Sequence, residues 1–211
     1  MSIPLPTAAV LDPDTDDVRL WFGPDQKTFS DGLLWRVVGA VCWPRETIVG
    51  GDAVNLGAVI VAGMALQGPR KGECWVFGSA PWYGVQALVE GTKLVDAGLS
   101  RWMTNAWTVY CCRRYWWGNQ DDGTAITWRR QVRDDAGLAV QVRFSPVHWD
   151  QQTDVRAVVS GLIAHGRLWY GADTQLARDG EGSLSVMGGG EPTPMLHALY
   201  CLGLGMSRIR L

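Results

Sequence analysis

Histidine is scarce in this 211-residue chain. The three present, His148, His165 and His197, are far apart and form no H-E-x-x-H or other ligand-spaced pair, so nothing in the sequence points to a metal centre. The five cysteines (Cys42, Cys74, Cys111, Cys112 and Cys201) contain no C-x-x-C. Adjacent Cys111 and Cys112 would point to opposite faces of a strand, which strains a bond between them. The expectation is five buried thiols in a protein assembled in a reducing cytosol. An excess of one charge is missing too: 19 basic against 21 acidic residues leave a net charge of −2, with no global field to recruit nucleic acid or an anionic membrane. Long apolar runs are absent. The nearest, AVNLGAVIVAGMALQ at 53–67, is too short to span a bilayer and is broken by glycine. The opening MSIPLPTAAV lacks a basic n-region and is interrupted by proline, so it does not read as a signal peptide.

Catalytic motifs are lacking as well. Ser79, in FGSAPWYG, is no G-x-S-x-G elbow. Gly203 and Gly205 lack the third glycine of a dinucleotide fingerprint, and there is no P-loop. Asp12, Asp14 and Asp16 resemble the start of a calcium loop, but its sixth and twelfth positions are Asp17 and Gly23 instead of Gly and Glu. The acidic pairs Asp121–Asp122 and Asp134–Asp135 sit in turn-like contexts, where Asp bonds its own backbone. Cys111–Cys112 beside Arg113–Arg114 would favour thiolate, yet no histidine lies near in sequence to act as base. No cofactor is expected.

What is abundant is glycine (26 residues) and tryptophan, whose 12 outnumber the 4 Phe and 5 Tyr together. With 47% hydrophobic and only 19% charged residues, this composition suits strands joined by tight turns, with large flat side chains between them. Residues 18–22 (VRLWF) alternate as a strand. Residues 33–43 form a second, expected to bulge at Gly39, and 53–66 suit a buried strand or two. Residues 73–78 read as a strand and 79–84 as an aromatic loop. The most conspicuous stretch is 101–117, RWMTNAWTVYCCRRYWW, which reads as one long strand because of its Thr, Val, Tyr, Cys and Trp content. Residues 124–133 and 138–144 then complete an antiparallel meander with it. Residues 155–163 read as a strand that a helix would also fit, 166–170 as a strand, and 195–211 as either a broken helix or a strand pair.

The predicted fold is therefore mainly β: an antiparallel β-sandwich or barrel-like domain with a central meander and little helix. Residues 1–17 read as an extended N-terminal arm, 18–187 as a β-rich domain, and 188–211 as a hinge and C-terminal segment. Arg and Trp are the anchor residues of protein interfaces. The candidates for such contacts are Trp107, Arg113, Arg114, Tyr115, Trp116, Trp117, Trp128 and Arg130, with Trp82 and Tyr83 in the aromatic loop. Arginine interleaved with aromatics also suits nucleic acid, but the acidic chain favours protein.

Two stretches, VRLWFGPDQKTFSDG at 18–32 with its return strand, and YGADTQLARDGEGSLSV at 170–186, resemble segments of tailed-bacteriophage tail-tip and baseplate proteins. The resemblance implies a structural role without catalysis. The chain would be a virion subunit assembled in the host cytoplasm, holding other virion proteins and copies of itself in a symmetric assembly, away from membranes. Two other readings stand beside it. One is a carbohydrate-binding β-sandwich, with Trp82, Tyr83, Trp116 and Trp117 stacking on glycan rings. The other is a hydrolase whose carboxylate pair is not visible in sequence.

Overall fold

A computed structural model describes residues 5–12, 14–15, 17–22, 33–49, 52–88, 92–96, 99–118, 129–130, 142–148, 154–171 and 193–209, without the side chains of 33, 44–49, 52–55, 82–88, 92–96 and 100. The chain is mainly β. Its first six strands, β1 (Ala8–Leu11), β2 (Val18–Trp21), β3 (Leu33–Val49), β4 (Asp52–Ala65), β5 (Cys74–Leu88) and β6 (Thr92–Asp96), follow one another as neighbours in a single open sheet. Every pairing along this path is antiparallel. Three later strands, β7 (Arg114–Trp117), β8 (Arg143–Pro146) and β9 (Leu168–Tyr170), join in parallel: β7 on β3, β8 on β7 and β9 on β5. The sheet is thus mixed and, among the described residues, does not close into a barrel.

Ala8–Leu11, inside the stretch read as an arm, is the outer strand of this path. The 17-residue β3 and 14-residue β4 carry apolar residues on both faces, so both faces are covered. Odd positions of β3–β5 (Trp35, Val37, Val41, Trp43, Val59, Val61, Trp75, Phe77) build one core with Val18, Leu20 and Phe22 of the β2 region. Even positions (Val38, Ala40, Cys42, Ala58, Ile60, Ala62, Met64, Cys74, Val76) build the other.

Helices cover the faces. The first, α1 (Leu99–Tyr110), packs Leu99, Met103 and Ala106 into the odd-position core. The second and third, α2 (Val155–Ala164) and α3 (Pro194–Ser207), cover the even-position core. Asp154 caps α2, its Oδ1 accepting from the amides of Arg156 (3.0 Å) and Ala157 (3.1 Å). Thr193 caps α3, accepting from Leu196 N at 3.3 Å, with Pro194 in the first turn, where its missing N–H costs nothing. No helix among the described residues is long and apolar enough to cross a membrane.

Several expectations are corrected. Residues 101–117 are not one strand: α1 occupies most of the stretch and β7 only its end. Leu99, Met103 and Ala106 lie on one helical face, and burying that face outweighs the strand preference of the Thr, Val, Tyr and Trp residues between them. The meander of 101–117 with 138–144 is replaced by the parallel β7–β8 pair, and the true antiparallel meander is β1–β6. Residues 124–133 lie outside the described residues except Arg129 and Arg130. The aromatic loop at 79–84 is a continuation of β5. The bulge in β3 falls between Cys42 and Arg45, around Pro44, which cannot donate to the ladder. Gly39 instead makes room for the ring of Tyr115 opposite it, which a Cβ would overlap. Residues 155–163 are the helix α2, and 195–211 contribute one helix, α3.

Candidate functional site

The edge of β3 opposite β4 serves two strands. β2 pairs with it antiparallel up to Val18↔Trp35, and β7 pairs parallel from Gly39↔Tyr115. The two partners diverge, and among the described residues 36–38 have no strand beside them on this edge. A cleft of about 410 Å³ opens at this fork, lined by Thr15, Arg36, Val38, Cys111, Arg113, Arg114, Trp116, Arg143 and Ile209, among others.

Four arginines meet here from separate parts of the chain. Arg36 comes from β3, Arg113 from the link after α1, and Arg114 and Arg143 from the first residues of β7 and β8. The parallel β7–β8 register sets Arg114 directly opposite Arg143. The backbone holds this end closed through Arg143 N donating to Arg113 O at 2.7 Å. Arg36 Nε is 2.7 Å from Asp17 Oδ1, and Asp17 is 4% exposed. Its removal from water is offset by this pairing. Arg114 and Arg143 are exposed at the rim and form no ion pair with any described carboxylate.

The link that presents Arg113 is conformationally unusual. Cys111 has φ 55°, the left-handed region, and its amide donates to Trp107 O at 2.9 Å. This is a helix-ending turn made without glycine, costing about 1–2 kcal/mol. Half-buried Cys111 has its thiol pKa raised by burial, against the opposing pull of Arg113 and a backbone bond at Leu11. Cys112 is buried and its thiol is pushed up to about 12, again by desolvation. Neither is an activated nucleophile.

In the Asp12–Asp17 turn beside the cleft, the Asp12 carboxylate is spent on the turn itself. Asp12 Oδ1 accepts from Asp14 N at 2.9 Å, and Asp12 N donates to Asp17 O at 2.7 Å. No cluster of three or more His, Cys, Asp or Glu suited to a metal occurs among the described residues.

A second surface lies at the outer strand. The β1–β2 ribbon turns Ala9, Leu11, Val18 and Leu20 inward. On its outer face Val10 is 56% exposed and Trp21 38%, although each is large and apolar. No strand is paired with the far side of β1 among the described residues.

The residues singled out in the sequence divide. Arg113 and Arg114 are brought together in the cleft. Tyr115, Trp116 and Trp117 are not surface residues: at 0%, 4% and 8% exposure they are spent in the two cores of the chain itself. Burial of Trp116 and Trp117 also removes them as a glycan platform. Trp107 is half-buried on α1, and Arg130 is exposed. Arg129, next to Arg130, lies 5.6 Å over the Trp117 ring. Trp128 lies outside the described residues, as do the side chains of Trp82 and Tyr83. Sequence reasoning missed Arg36 and Asp17. Arg36 has no local motif and Asp17 reads in sequence only as part of an acidic turn; only the β2–β3 pairing brings them together. No protein-family model matches the chain, and no curated protein matches its sequence.

Proposed function

We propose that the protein is a structural subunit that works by holding other protein chains, in the manner of a tailed-phage tail or baseplate component, and not by catalysis. The observation that supports this reading is the outer ribbon: a β1 edge with no further strand paired to it among the described residues, and with Val10 and Trp21 turned to solvent beside it. An open edge offers a row of backbone donors and acceptors, and apolar side chains next to it add burial when a second strand docks. Single chains commonly blunt such edges with charge or proline. Here the outward positions carry Val10 and Trp21, with Arg19 the charge between them. The occupant would be a neighbouring subunit or a second copy, within a symmetric assembly.

Light scattering of the purified chain over rising concentration, alone and with the products of adjacent reading frames, tests the reading. Higher-order species that V10K and W21K each abolish, with the circular dichroism unchanged, are expected. A chain that stays monomeric and retains none of those partners, or whose association is indifferent to both substitutions, would refute it.

A further inference from the structure

We propose that the rim of the cleft binds a doubly charged phosphoryl group, that of inorganic phosphate or of a small phosphate monoester, between Arg114 and Arg143. These residues open β7 and β8, and the parallel register sets them directly opposite each other. Paired positions on neighbouring strands share a face and lie about 5 Å apart. Both side chains line the cleft, both are exposed, and neither forms an ion pair with a described carboxylate. Like charges directly opposite each other on adjacent strands weaken the pairing. An anion held between them replaces that repulsion with two attractions. Arg36 is held by Asp17 and Arg113 is engaged as well, so the site is this one pair and not the sum of four arginines.

The pairing of two guanidiniums selects the ligand. A carboxylate carries one charge and two oxygens, and a single guanidinium fork takes up both. A phosphate monoester carries between one and a half and two charges at neutral pH and has three free oxygens. It can therefore give two oxygens to one fork and the third to the other, and neutralise both. A phosphodiester has one charge and two free oxygens, so a nucleic-acid backbone falls short in the same way as a carboxylate. Arginine suits the task because its planar fork holds phosphate oxygens in pairs and stays charged at all working pH values. The cleft beside the pair, at about 410 Å³, falls in the size range of small-ligand sites and leaves room for the body of a monoester.

This site does not involve the outer ribbon, so it stands or falls independently of the assembly reading. Phenyl phosphate is titrated by calorimetry into the full chain at constant ionic strength, with inorganic phosphate, sulfate, acetate and oligo-dT as comparisons. Saturable one-to-one binding of the two phosphates is expected, weakened about tenfold by R114Q and about tenfold by R143Q. Both side chains are exposed, so the melting temperature without ligand should not fall in either variant. Going from about pH 7.5 to about pH 5, the phosphates should lose affinity as each takes up a proton near pH 6. Sulfate stays doubly charged over that range and should bind equally at both ends. Tighter binding of phenyl phosphate than of inorganic phosphate would assign the site to a monoester, and the reverse order to the free ion. Four results would overturn the proposal: no saturable binding of either phosphate, binding indifferent to both substitutions, acetate or (per phosphate) oligo-dT binding as tightly as phenyl phosphate, or the same pH response for phosphate and sulfate.

Discussion

The two faces of the central sheet solve the burial problem in opposite ways. The odd-position face is filled with rings. Trp35 and Trp75 meet edge to face at 5.3 Å, with Phe22 at 5.9 Å from Trp35 and 6.0 Å from Trp75, and Phe77 at 6.3 Å from Trp35. The even-position face is paved with small residues, Ala40, Cys42, Ala58 and Ala62, and a helix supplies the bulk. That helix, α3, is buried on nearly every side between the sheet and α2. Where it passes Trp116 it needs Gly205, because a Cβ there would fall inside the indole. One face therefore takes its volume from the sheet and the other from the covering layer. Both reach close packing, but they differ in what they tolerate.

Polar chemistry separates them as well. On the ring face, Trp75 Nε1 donates to Glu73 Oε2 at 3.1 Å, while Trp35 and Trp117 bury their Nε1 with no acceptor among the described residues. An indole N–H buried without a partner costs about 1–3 kcal/mol. The small-residue face carries its polarity as thiols, Cys42, Cys74 and Cys201, in no disulfide.

The contrast can be broken at several points. The largest effect is expected from W75A, which empties the centre of the ring cluster and should cost about 3–5 kcal/mol in urea unfolding. Next is G205A, which on the opposite face overpacks instead of emptying. The ring of Trp116 must move, at about 3 kcal/mol, and W116L in the same chain should recover part of the loss. A third test uses pH. The thiols of Cys74, Cys112 and Cys201 are all raised by burial, Cys112 to about 12. The folded state holds these protons while the unfolded chain releases them above its ordinary thiol range. Stability is therefore full below pH about 8.5 and falls as pH rises, by up to about 1.4 kcal/mol per pH unit per thiol. Two of the three lie on the small-residue face, so C74A with C201A should flatten the alkaline limb more than C112A does.

A smaller effect compares W35F with W75F. The first removes an orphan donor and the second a bonded one, so W75F should be the more destabilising by about 1 kcal/mol in the same denaturant series. The smallest effect, a gain, is expected from C111G at the end of α1 on the ring face. C111G fits the left-handed turn and should stabilise by about 0.5 kcal/mol, whereas C111V should cost about 1–2 kcal/mol.

Much of this sheet was legible from sequence, and the misses have physical causes. The stretch at 33–43 reads as a strand because its Val and Trp residues favour one, and burial on both faces bears that out. The same residue types in 101–110 gave the wrong element. Its helical face begins at Leu99, before the conspicuous tryptophans, and its stop signal is a cysteine where glycine is usual. In the cleft, Arg113 and Arg114 attract notice as a pair. Arg143 follows only once β8 is known to lie parallel to β7. Arg36 and Thr15 carry no signal, because strand pairing alone places them there.

The fork has a consequence for how the chain is made. The meander β1–β6 is complete in sequence order, yet positions 39–41 of β3 and 74–76 of β5 receive β7 and β9 only later in the sequence. On the ribosome, both edges stand open for the time it takes to synthesise the intervening chain. In that interval a nascent chain can pair with its neighbour on the same message as readily as with itself. A subunit destined to dock strands in an assembly would then have to defer that docking until its own late strands have arrived.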